Sequence, residues 1–473
     1  MKKWLSIPMI GILAVVMVLT GCSKDKAGSE SSPPPSSASA SVAPSESASA
    51  SPEASPSEAA AEFPPIPEEP LKDISGEVVV WSFWALDSLN TFFNNSYPNV
   101  KVNNVVMSTD EMHNKLKTVL ASGKGVPDLV MIDGSRIGEF NTIEGLEDLN
   151  QQPYDFGKYK PFFTETHMQR FQSLDGTKQL AVPHTTPPAL AFYRADIMDA
   201  AGFPSDPEEF GEFIKDKDNF ISLAKTLAAD KKYTYDWDTT IVNLMTSGIG
   251  FFDRDLNWLR NTDQYVAALD LAKELKQEKL ASYINFYDDN GAQALASGKT
   301  AMFYSGDFGI WDIDGKAPDT KGKWRVTNLP FGANGGMGGA SFAIPSQGKN
   351  KLAGWEYIRL NLLGMDNSNK EAIQWSNPPG FLPAYDLAAT EEKPLEILGG
   401  QKPLMMYKEL SKKIPVNIPT ALDAKAEEIW WKMLQDAIDK NVDSRTALQQ
   451  IQEAVEKAVS KDKEALLKKL GKS

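Results

Sequence analysis

Strand and helix patterns alternate over residues 76–133, and this alternation constrains the fold more than any other feature of the chain. Residues 77–84 form an apolar run headed by glycine, as expected for a strand that is buried on both faces. Residues 100–107 and 128–132 repeat this pattern, and apolar residues at helical spacing lie in each interval. The order strand, helix, strand, helix, strand predicts a parallel sheet with crossover helices. The fold class is therefore α/β.

Polar and aromatic side chains follow the predicted strands of this sheet. Ligands of open parallel sheets sit beyond the carboxyl ends of the strands. Trp84 ends the first strand, and Asp133, Ser135 and Arg136 form the turn after the third. We expect these four residues to lie beside a binding crevice.

The rest of the chain continues the mixture of strands and helices without an internal linker. Its length after residue 70 exceeds that of one typical domain, so we expect two lobes joined by strands that cross between them. The apolar patterns predict strands at 180–183, 189–193 and 300–304, and helices at 206–229, 262–279 and 420–470.

The first 22 residues have the pattern of an export signal. Two lysines precede an apolar run over residues 7–19, which is short for a membrane span. The run ends in Leu-Thr-Gly-Cys22, which resembles the bacterial lipobox, where the cysteine is acylated and becomes the new N-terminus. Residues 23–70 are rich in Ser, Ala, Pro and Glu and predict a disordered tether. We expect lipidation at Cys22 and anchoring on the extracellular face of a Gram-positive cell membrane.

Composition narrows the classes of function. A net charge of −14 leaves no broad basic surface for nucleic acid. A single cysteine excludes a disulfide framework and a thiolate zinc site, and the three histidines lack metal-ligand spacing. No Gly-x-Ser-x-Gly motif occurs, but a carboxylate pair for glycoside hydrolysis stays open because acidic residues are abundant. We expect no cofactor, no metal ion and no nucleic-acid partner.

Two local motifs imitate ligand-binding loops. Gly298-Lys-Thr lacks the first glycine of a P-loop and precedes a strand, whereas phosphate binding needs a following helix. A glycine that ends a helix explains this motif better. Residues 253–257 imitate a calcium loop, but Trp258 stands where that loop requires glycine. Gly298 is therefore interpreted as a helix C-cap, and the acidic residues of 253–257 as incidental surface carboxylates.

Tryptophan is the most informative residue type. The chain has 11, and six of them lie near predicted element ends or beside polar, Gly or Pro residues. Aromatic faces stack on the C–H faces of sugar rings, while neighbouring polar groups bond the hydroxyls. For any single tryptophan, core packing is the alternative. The six that together favour a carbohydrate cleft are Trp84, Trp237, Trp311, Trp375, Trp430 and Trp431.

An ordered series of motifs spans nearly the whole chain after residue 70. It comprises the first strand ending in Trp, VPDLVMID at 126–133, LAVP at 180–183, FYRAD at 192–196, ASGKTAM at 296–302, GGASFAIP at 338–345 and GFLPA at 380–384. With the lipobox, this series resembles the family 1 extracellular solute-binding proteins, which serve carbohydrate ABC importers.

The resemblance implies the type II periplasmic-binding-protein fold, in which two α/β lobes are joined by crossing hinge strands and a sugar lies between them. The implied organisation is a signal peptide at 1–22, the tether at 23–70, a first lobe from 71–186 and 329–383, and a second lobe from 187–328 and 384–473.

The resemblance also implies binding residues. Ser135 and Arg136 match family positions that bond sugar hydroxyls, and Phe308 stands at the position of a stacking tryptophan. Trp237 and one of Trp430 and Trp431 match aromatic positions of the second lobe. The complete predicted ligand set is Trp84, Asp133, Ser135, Arg136, His184, Trp237, Asp307, Phe308, Trp311, Trp375, Trp430 and Trp431.

These observations predict a monomeric, lipid-anchored protein that captures a carbohydrate, in particular an oligosaccharide. It would deliver the sugar to the membrane permease of an ABC importer and catalyse no reaction. Two alternatives stay open at this point. One is a surface-anchored polysaccharide-active enzyme with a carboxylate pair in the same cleft, and the other is a receptor for a non-sugar solute.

Overall fold

The first predicted strand forms an inner strand of a five-stranded sheet. In the computed structural model, which describes residues 74–364 and 377–472, β1 (Gly76–Ser82) pairs in parallel with β2 (Val100–Val106) and β3 (Leu129–Asp133). Helices α1 (Asp87–Ser96) and α2 (Thr109–Ser122) make the crossovers. The predicted parallel β-α-β-α-β unit is thereby confirmed.

Several predictions lie outside the described residues. The signal peptide, Cys22, the tether and Trp375 belong to this group. No helix among residues 74–364 and 377–472 is long and apolar enough to cross a membrane.

Two further strands complete the first sheet through antiparallel pairing. β8 (Ala340–Ala343) pairs with β3 on one side and with β4 (Val182–Thr185) on the other, which gives the order β2-β1-β3-β8-β4. β4 thus begins and ends two residues later than the predicted strand at 180–183. The apolar faces of this sheet are covered on both sides, with α1 and α11 (Lys351–Leu362) on one and α2 on the other.

A second, smaller sheet is entirely antiparallel. β5 (Leu190–Arg194) lies between β6 (Met302–Ser305) and β7 (Trp324–Thr327). The chain enters this sheet directly after β4 and returns from β7 to β8, so it crosses between the sheets at residues 186–189 and 328–339. The lobe boundaries given above stay predictions.

Helices surround the second sheet. They pack into an apolar core with the sheet and with each other.

The α-helices of the whole described chain that have not yet been given are α3 (Glu165–Arg170), α4 (Ala195–Ala200), α5 (Pro207–Phe213), α6 (Lys217–Ala229), α7 (Asp238–Met245), α8 (Asp263–Gln277), α9 (Asp289–Ser297), α10 (Gly309–Lys316), α12 (Pro383–Glu391), α13 (Leu404–Ser411), α14 (Asp423–Asp439) and α15 (Ser444–Lys469). Short 3₁₀ helices occupy Ile137–Glu139, Phe156–Phe162, Pro318–Thr320, Pro330–Gly332 and Glu396–Leu398.

Helix ends follow local chemistry that apolar spacing alone does not reveal. The predicted helix at 420–470 is two helices, because Asn441 adopts a left-handed φ of 49° between α14 and α15. The predicted helix at 206–229 is likewise interrupted, since the Asp216 carboxylate accepts a hydrogen bond from the Asn219 amide and starts α6. Gly298 ends α9 with φ of 77°, which confirms its interpretation as a helix C-cap.

Candidate functional site

A cavity of about 550 Å³ lies between residues carried by the two sheets, and we call it the cleft. The first sheet contributes Trp84, which follows β1, and His184, which lies on β4. The second sheet contributes the turn after β6 and the start of α10. The predicted ligand residues that line the cleft are Trp84, His184, Asp307, Phe308 and Trp311.

The first-sheet side of the cleft is held by hydrogen bonds at the end of β1. The Ser82 hydroxyl donates to the Trp84 carbonyl at 2.7 Å and accepts from the Asn104 side-chain amide at 2.8 Å. The Trp84 ring remains 37% exposed. Its centroid lies 6.4 Å from that of the His184 ring, and the two planes are inclined by 35°. A tryptophan face is therefore presented next to an imidazole.

The second-sheet side is built by the chain turn that follows β6. Phe308 precedes α10, and Trp311 lies in the first turn of that helix with 47% of its surface exposed. Asp307 is buried, and this burial raises the pKa of its carboxyl group to about 7, although the amides of Asp307 and Phe308 oppose the shift. The cleft thus combines two exposed tryptophans, one after β1 and one on α10, with a buried carboxyl group whose pKa is raised.

Asp133, Ser135 and Arg136, which lie in the turn after β3, are not among the residues that line the cleft. The Asp133 carboxylate accepts hydrogen bonds from the amide and hydroxyl of Ser135, at 2.8 and 2.6 Å. The Arg136 guanidinium forms ion pairs with Glu139 and Asp110. These local partners engage the three polar groups, so their predicted contacts with a ligand stay untested predictions.

Arg170 is a residue of this region that the sequence analysis missed. Its guanidinium donates two hydrogen bonds to the Gly134 carbonyl, at 3.1 and 2.9 Å, and burial lowers its pKa. The Gly134 amide in turn donates to the carbonyl of Gly339, a residue that lines the cleft. Arg170 therefore fixes the turn that borders the site. The sequence carried no signal for it, because α3 is a short helix outside every motif.

The three other candidate tryptophans within the described residues, Trp237, Trp430 and Trp431, do not line the cleft. Trp430 is only 1% exposed and packs in the core, with the Tyr265 ring 5.4 Å away and edge-on. In this position Trp430 packs as a core residue, and its predicted contact with a ligand stays a prediction. Trp431 is partly buried against the same core, and its indole N–H donates to the Glu427 carboxylate at 3.3 Å. Trp237, directly before α7, is 41% exposed and contacts the Tyr283 ring edge-on at 5.7 Å.

A second cavity of about 420 Å³ lies against the smaller sheet, and we call it the side cavity. Residues of β6, α7 and the segment before β8 line it, among them Met302, Tyr304, Asn243 and Met337. Its aromatic lining is tyrosine and phenylalanine, so the distribution of tryptophans does not indicate it. The cluster Tyr233-Thr-Tyr-Asp-Trp237 was the available signal.

Comparison with known proteins places this geometry in a family. Residues 81–360 match the family model of bacterial extracellular solute-binding proteins. The chain is 26% identical over 329 residues to an arabinooligosaccharide-binding protein of Bacillus subtilis (strain 168), covering 64% of this chain and 72% of that protein.

Solved structures share the fold. A crystal structure of an extracellular solute-binding protein of family 1 matches with a TM-score of 0.70 at 18% identity, covering 81% of this chain and 99% of the other. The ABC transporter associated binding protein from B. animalis subsp. lactis Bl-04, in complex with β-1,6-galactobiose, matches with a TM-score of 0.62 at 20% identity, covering 82% and 99%. These matches confirm the predicted type II periplasmic-binding-protein fold. Since the family match spans more than half of the chain, the protein belongs to the bacterial extracellular solute-binding proteins.

Proposed function

We propose that this solute-binding protein captures a neutral oligosaccharide in the cleft and delivers it to an ABC importer. The observation that carries the proposal is that two exposed indoles line one cavity, Trp84 just after β1 of the first sheet and Trp311 on α10, which packs against the second sheet. Exposed aromatic faces in a cavity match the apolar faces of sugar rings, and neighbouring polar groups can bond the hydroxyls.

The relatives support the same class of ligand. The Bacillus subtilis protein is named for arabinooligosaccharides, and the structure from B. animalis subsp. lactis holds a disaccharide. Both relatives are binding proteins, and the family of this chain consists of solute-binding proteins. This likeness supports capture of a sugar over catalysis. Within this proposal the ligand stabilises the state in which the two sheets enclose it, and the enclosed state is what a permease would recognise.

Calorimetry on the chain without its first 22 residues tests the proposal. Arabino-oligosaccharides, β-1,6-galactobiose and maltodextrins are titrated into the wild-type protein, Trp84→Ala and Trp311→Ala. We expect one of these sugars to bind, and each variant to weaken that binding about tenfold, because a lost stacking contact is worth about 1.4 kcal/mol.

Leu352→Ala is the matched control, because Leu352 is also exposed but lies on α11 away from the cleft. We expect this variant to bind like wild type. Release of reducing ends from a glycan would instead favour the polysaccharide-active enzyme. Absence of heat with every sugar, together with binding of a peptide or another solute, would favour the non-sugar receptor.

We further propose that the protein is monomeric and attached to the outer face of the cell membrane through a diacylated Cys22. The lipobox pattern and the extracellular family support this location. Two acyl chains give stable attachment, since each buried CH2 contributes about 0.8 kcal/mol.

Cell fractionation of wild type and Cys22→Ala tests the anchor. We expect wild-type protein to partition into the detergent phase and the variant to be left uncleaved or to be released. Equal partitioning of both, with the signal removed from both, would contradict lipidation at this residue.

A further inference from the structure

The described lining of the cleft holds acidic side chains but neither lysine nor arginine. Its acidic groups are the carboxyl groups of Asp87 and Asp307. The other titratable side chain of this lining is that of His184. Ionised acids without nearby bases give a cavity a negative potential, which attracts cations and repels anions.

Asp307 is the acid that the fold withdraws from water. This residue is 6% exposed, whereas Asp87 lies exposed in the first turn of α1. The helix N-terminus and water both stabilise the charge of Asp87. A buried carboxylate is costly unless an opposite charge or hydrogen bonds compensate it. Asp307 is therefore the lining group whose charge calls for a partner.

We propose that Asp307 makes the cleft select its ligand by charge, so that an oligosaccharide with free amino groups binds more tightly than its neutral counterpart. An ammonium group of such a sugar would pair with the Asp307 carboxylate. This inference rests on the proposed function and goes beyond it, because it adds a basic class of sugar to the neutral class that the same cleft captures.

The described protein does not supply the missing positive charge. Burial raises the pKa of the Asp307 carboxyl group, and the groups that oppose this shift are the backbone amides of Asp307 and Phe308, with no lysine or arginine of the described residues among them. Tyr385 and Tyr407 are buried and also interact with this carboxyl group, since burial first and then the Asp307 charge raise the pKa of each phenol. A phenol carries no positive charge. A ligand in the cleft can supply one.

The rings of the cleft add a second attraction for a cation. Trp84 and Trp311 are exposed in the lining, and Phe308 is next to Asp307 in the chain. A cation within about 6 Å of an aromatic face is attracted by the ring, most strongly by that of tryptophan. An amino sugar keeps the C–H faces of a neutral sugar and adds an ammonium group. It can therefore use the same rings and also pair with the buried acid.

An acidic sugar meets the opposite situation. The carboxylate of a uronate would lie in the same cavity as Asp87 and Asp307, and like charges in a poorly hydrated cavity repel each other. We therefore expect the order of affinity to be amino sugar, neutral sugar and uronate.

Calorimetry at pH 7 with three trisaccharides of one backbone tests this order. The β-1,4-linked glucosamine trimer, cellotriose and the β-1,4-linked glucuronate trimer differ in charge at every unit, so a charged group reaches the cleft whichever unit enters it. We expect wild type to bind the glucosamine trimer about tenfold more tightly than cellotriose, because a charge-assisted hydrogen bond is gained, and the glucuronate trimer most weakly. In Asp307→Asn the two affinities should differ by no more than about twofold, since the amide carries no charge.

Asp87→Asn and Asp319→Asn are the matched controls, because each removes one acid. Asp87 lines the cleft but is exposed, and Asp319 is exposed and does not line the cleft. The ratio of the affinities for glucosamine trimer and cellotriose is compared between variants, so a general loss of binding in one variant does not affect the result. Asp319→Asn should keep the wild-type ratio, and Asp87→Asn should lower it much less than Asp307→Asn does.

Three results would overturn the inference. They are equal affinity of wild type for the glucosamine trimer and cellotriose, a wild-type ratio retained in Asp307→Asn, and a fall of the ratio in Asp87→Asn as large as that in Asp307→Asn.

The neutral sugars titrated for the proposed function separate its failure from this one. If wild type binds one of those sugars but not the glucosamine trimer, only the present inference fails. If it binds the glucosamine trimer and no neutral sugar, selection by charge stands and capture of a neutral oligosaccharide fails. If no sugar binds, both fail.

Discussion

At the residue scale, Asp307 is a cleft residue whose carboxyl pKa lies well above its ordinary value. Its burial raises the pKa of the carboxyl group from 3.8 to about 7. The folded state therefore holds a proton that the unfolded chain releases at lower pH, so the stability associated with this group is complete below about pH 4 and declines as pH rises to 7.

We predict that Asp307→Asn stabilises the protein at pH 8 by up to about 4 kcal/mol, because the uncharged amide has no ionised form to desolvate. The difference from wild type should narrow between pH 7 and pH 4 and then vanish. Urea unfolding at pH 8, 6 and 4 measures it. Asp319→Asn, at an exposed position, serves as the control, and a gain that is independent of pH would contradict this account.

Two adjacent tryptophans offer a second test at the residue scale. Trp430 lies in the core beside Tyr265 and under the Arg260 guanidinium, whereas Trp431 is only partly buried. We predict that Trp430→Ala lowers the free energy of unfolding by about 3–5 kcal/mol, which is typical of large core truncations, and that Trp431→Ala lowers it by much less. Thermal and urea unfolding of both variants without ligand decides this. Equal stability of the two variants would show that Trp430 is not a core residue.

At the scale of elements, the turn at residues 253–257 contacts the segment at residues 169–174, which is distant in sequence. The Arg254 guanidinium donates to the carbonyls of Gln169, Ser173 and Leu174 and to the Gln172 side chain, at 2.9–3.1 Å. The turn that carries it is closed because the Asp253 carboxylate accepts from two backbone amides downstream. The segment that imitates a calcium loop is thus a structural turn that positions an arginine.

We predict that Arg254→Ala lowers the free energy of unfolding by about 2 kcal/mol, since several carbonyl groups lose a charged donor at once. Lys472→Ala is the control, because Lys472 forms an ion pair with Asp255 on the same turn and such surface pairs contribute about 0–1 kcal/mol. Urea unfolding compares the two. A loss no larger in Arg254→Ala than in Lys472→Ala would show that the contact contributes little.

At the scale of the whole molecule, the cleft depends on the relation between two sheets. Trp84 follows β1 of the first sheet, and Trp311 lies on α10, which packs against the second sheet. The chain crosses between those sheets at residues 186–189 and 328–339. A ligand that contacts both indoles stabilises the arrangement in which the sheets approach each other. Closure about these crossings is the expected motion.

We predict that a saturating concentration of the sugar identified by calorimetry decreases the radius of gyration measured by small-angle X-ray scattering. The decrease should be absent with a sugar that gives no heat, and smaller in Trp84→Ala at the same sugar concentration, because a weaker ligand shifts the population less. An unchanged radius in the presence of a tightly bound sugar would show that the protein binds without closing.

The sequence by itself determined the local elements and the family. Apolar runs and helical spacing between residues 76 and 133 were sufficient for the parallel β1-β2-β3 unit, because burial on both faces of a central strand leaves a continuous apolar pattern. The same local reasoning identified Gly298 as the end of a helix, and the ordered motifs indicated the fold.

Only the tertiary structure decided which side chains share a cavity. Trp84 and Trp311 are brought together by the packing of two sheets, whereas Arg136 is held by Glu139 and Asp110 through ion pairs that no motif reveals. Trp430 and Trp431 are neighbours in sequence, but successive helical side chains point in different directions, so only packing against the surrounding helices determined which of them is buried. Such contacts depend on residues far apart in the chain, and local pattern carries no information about them.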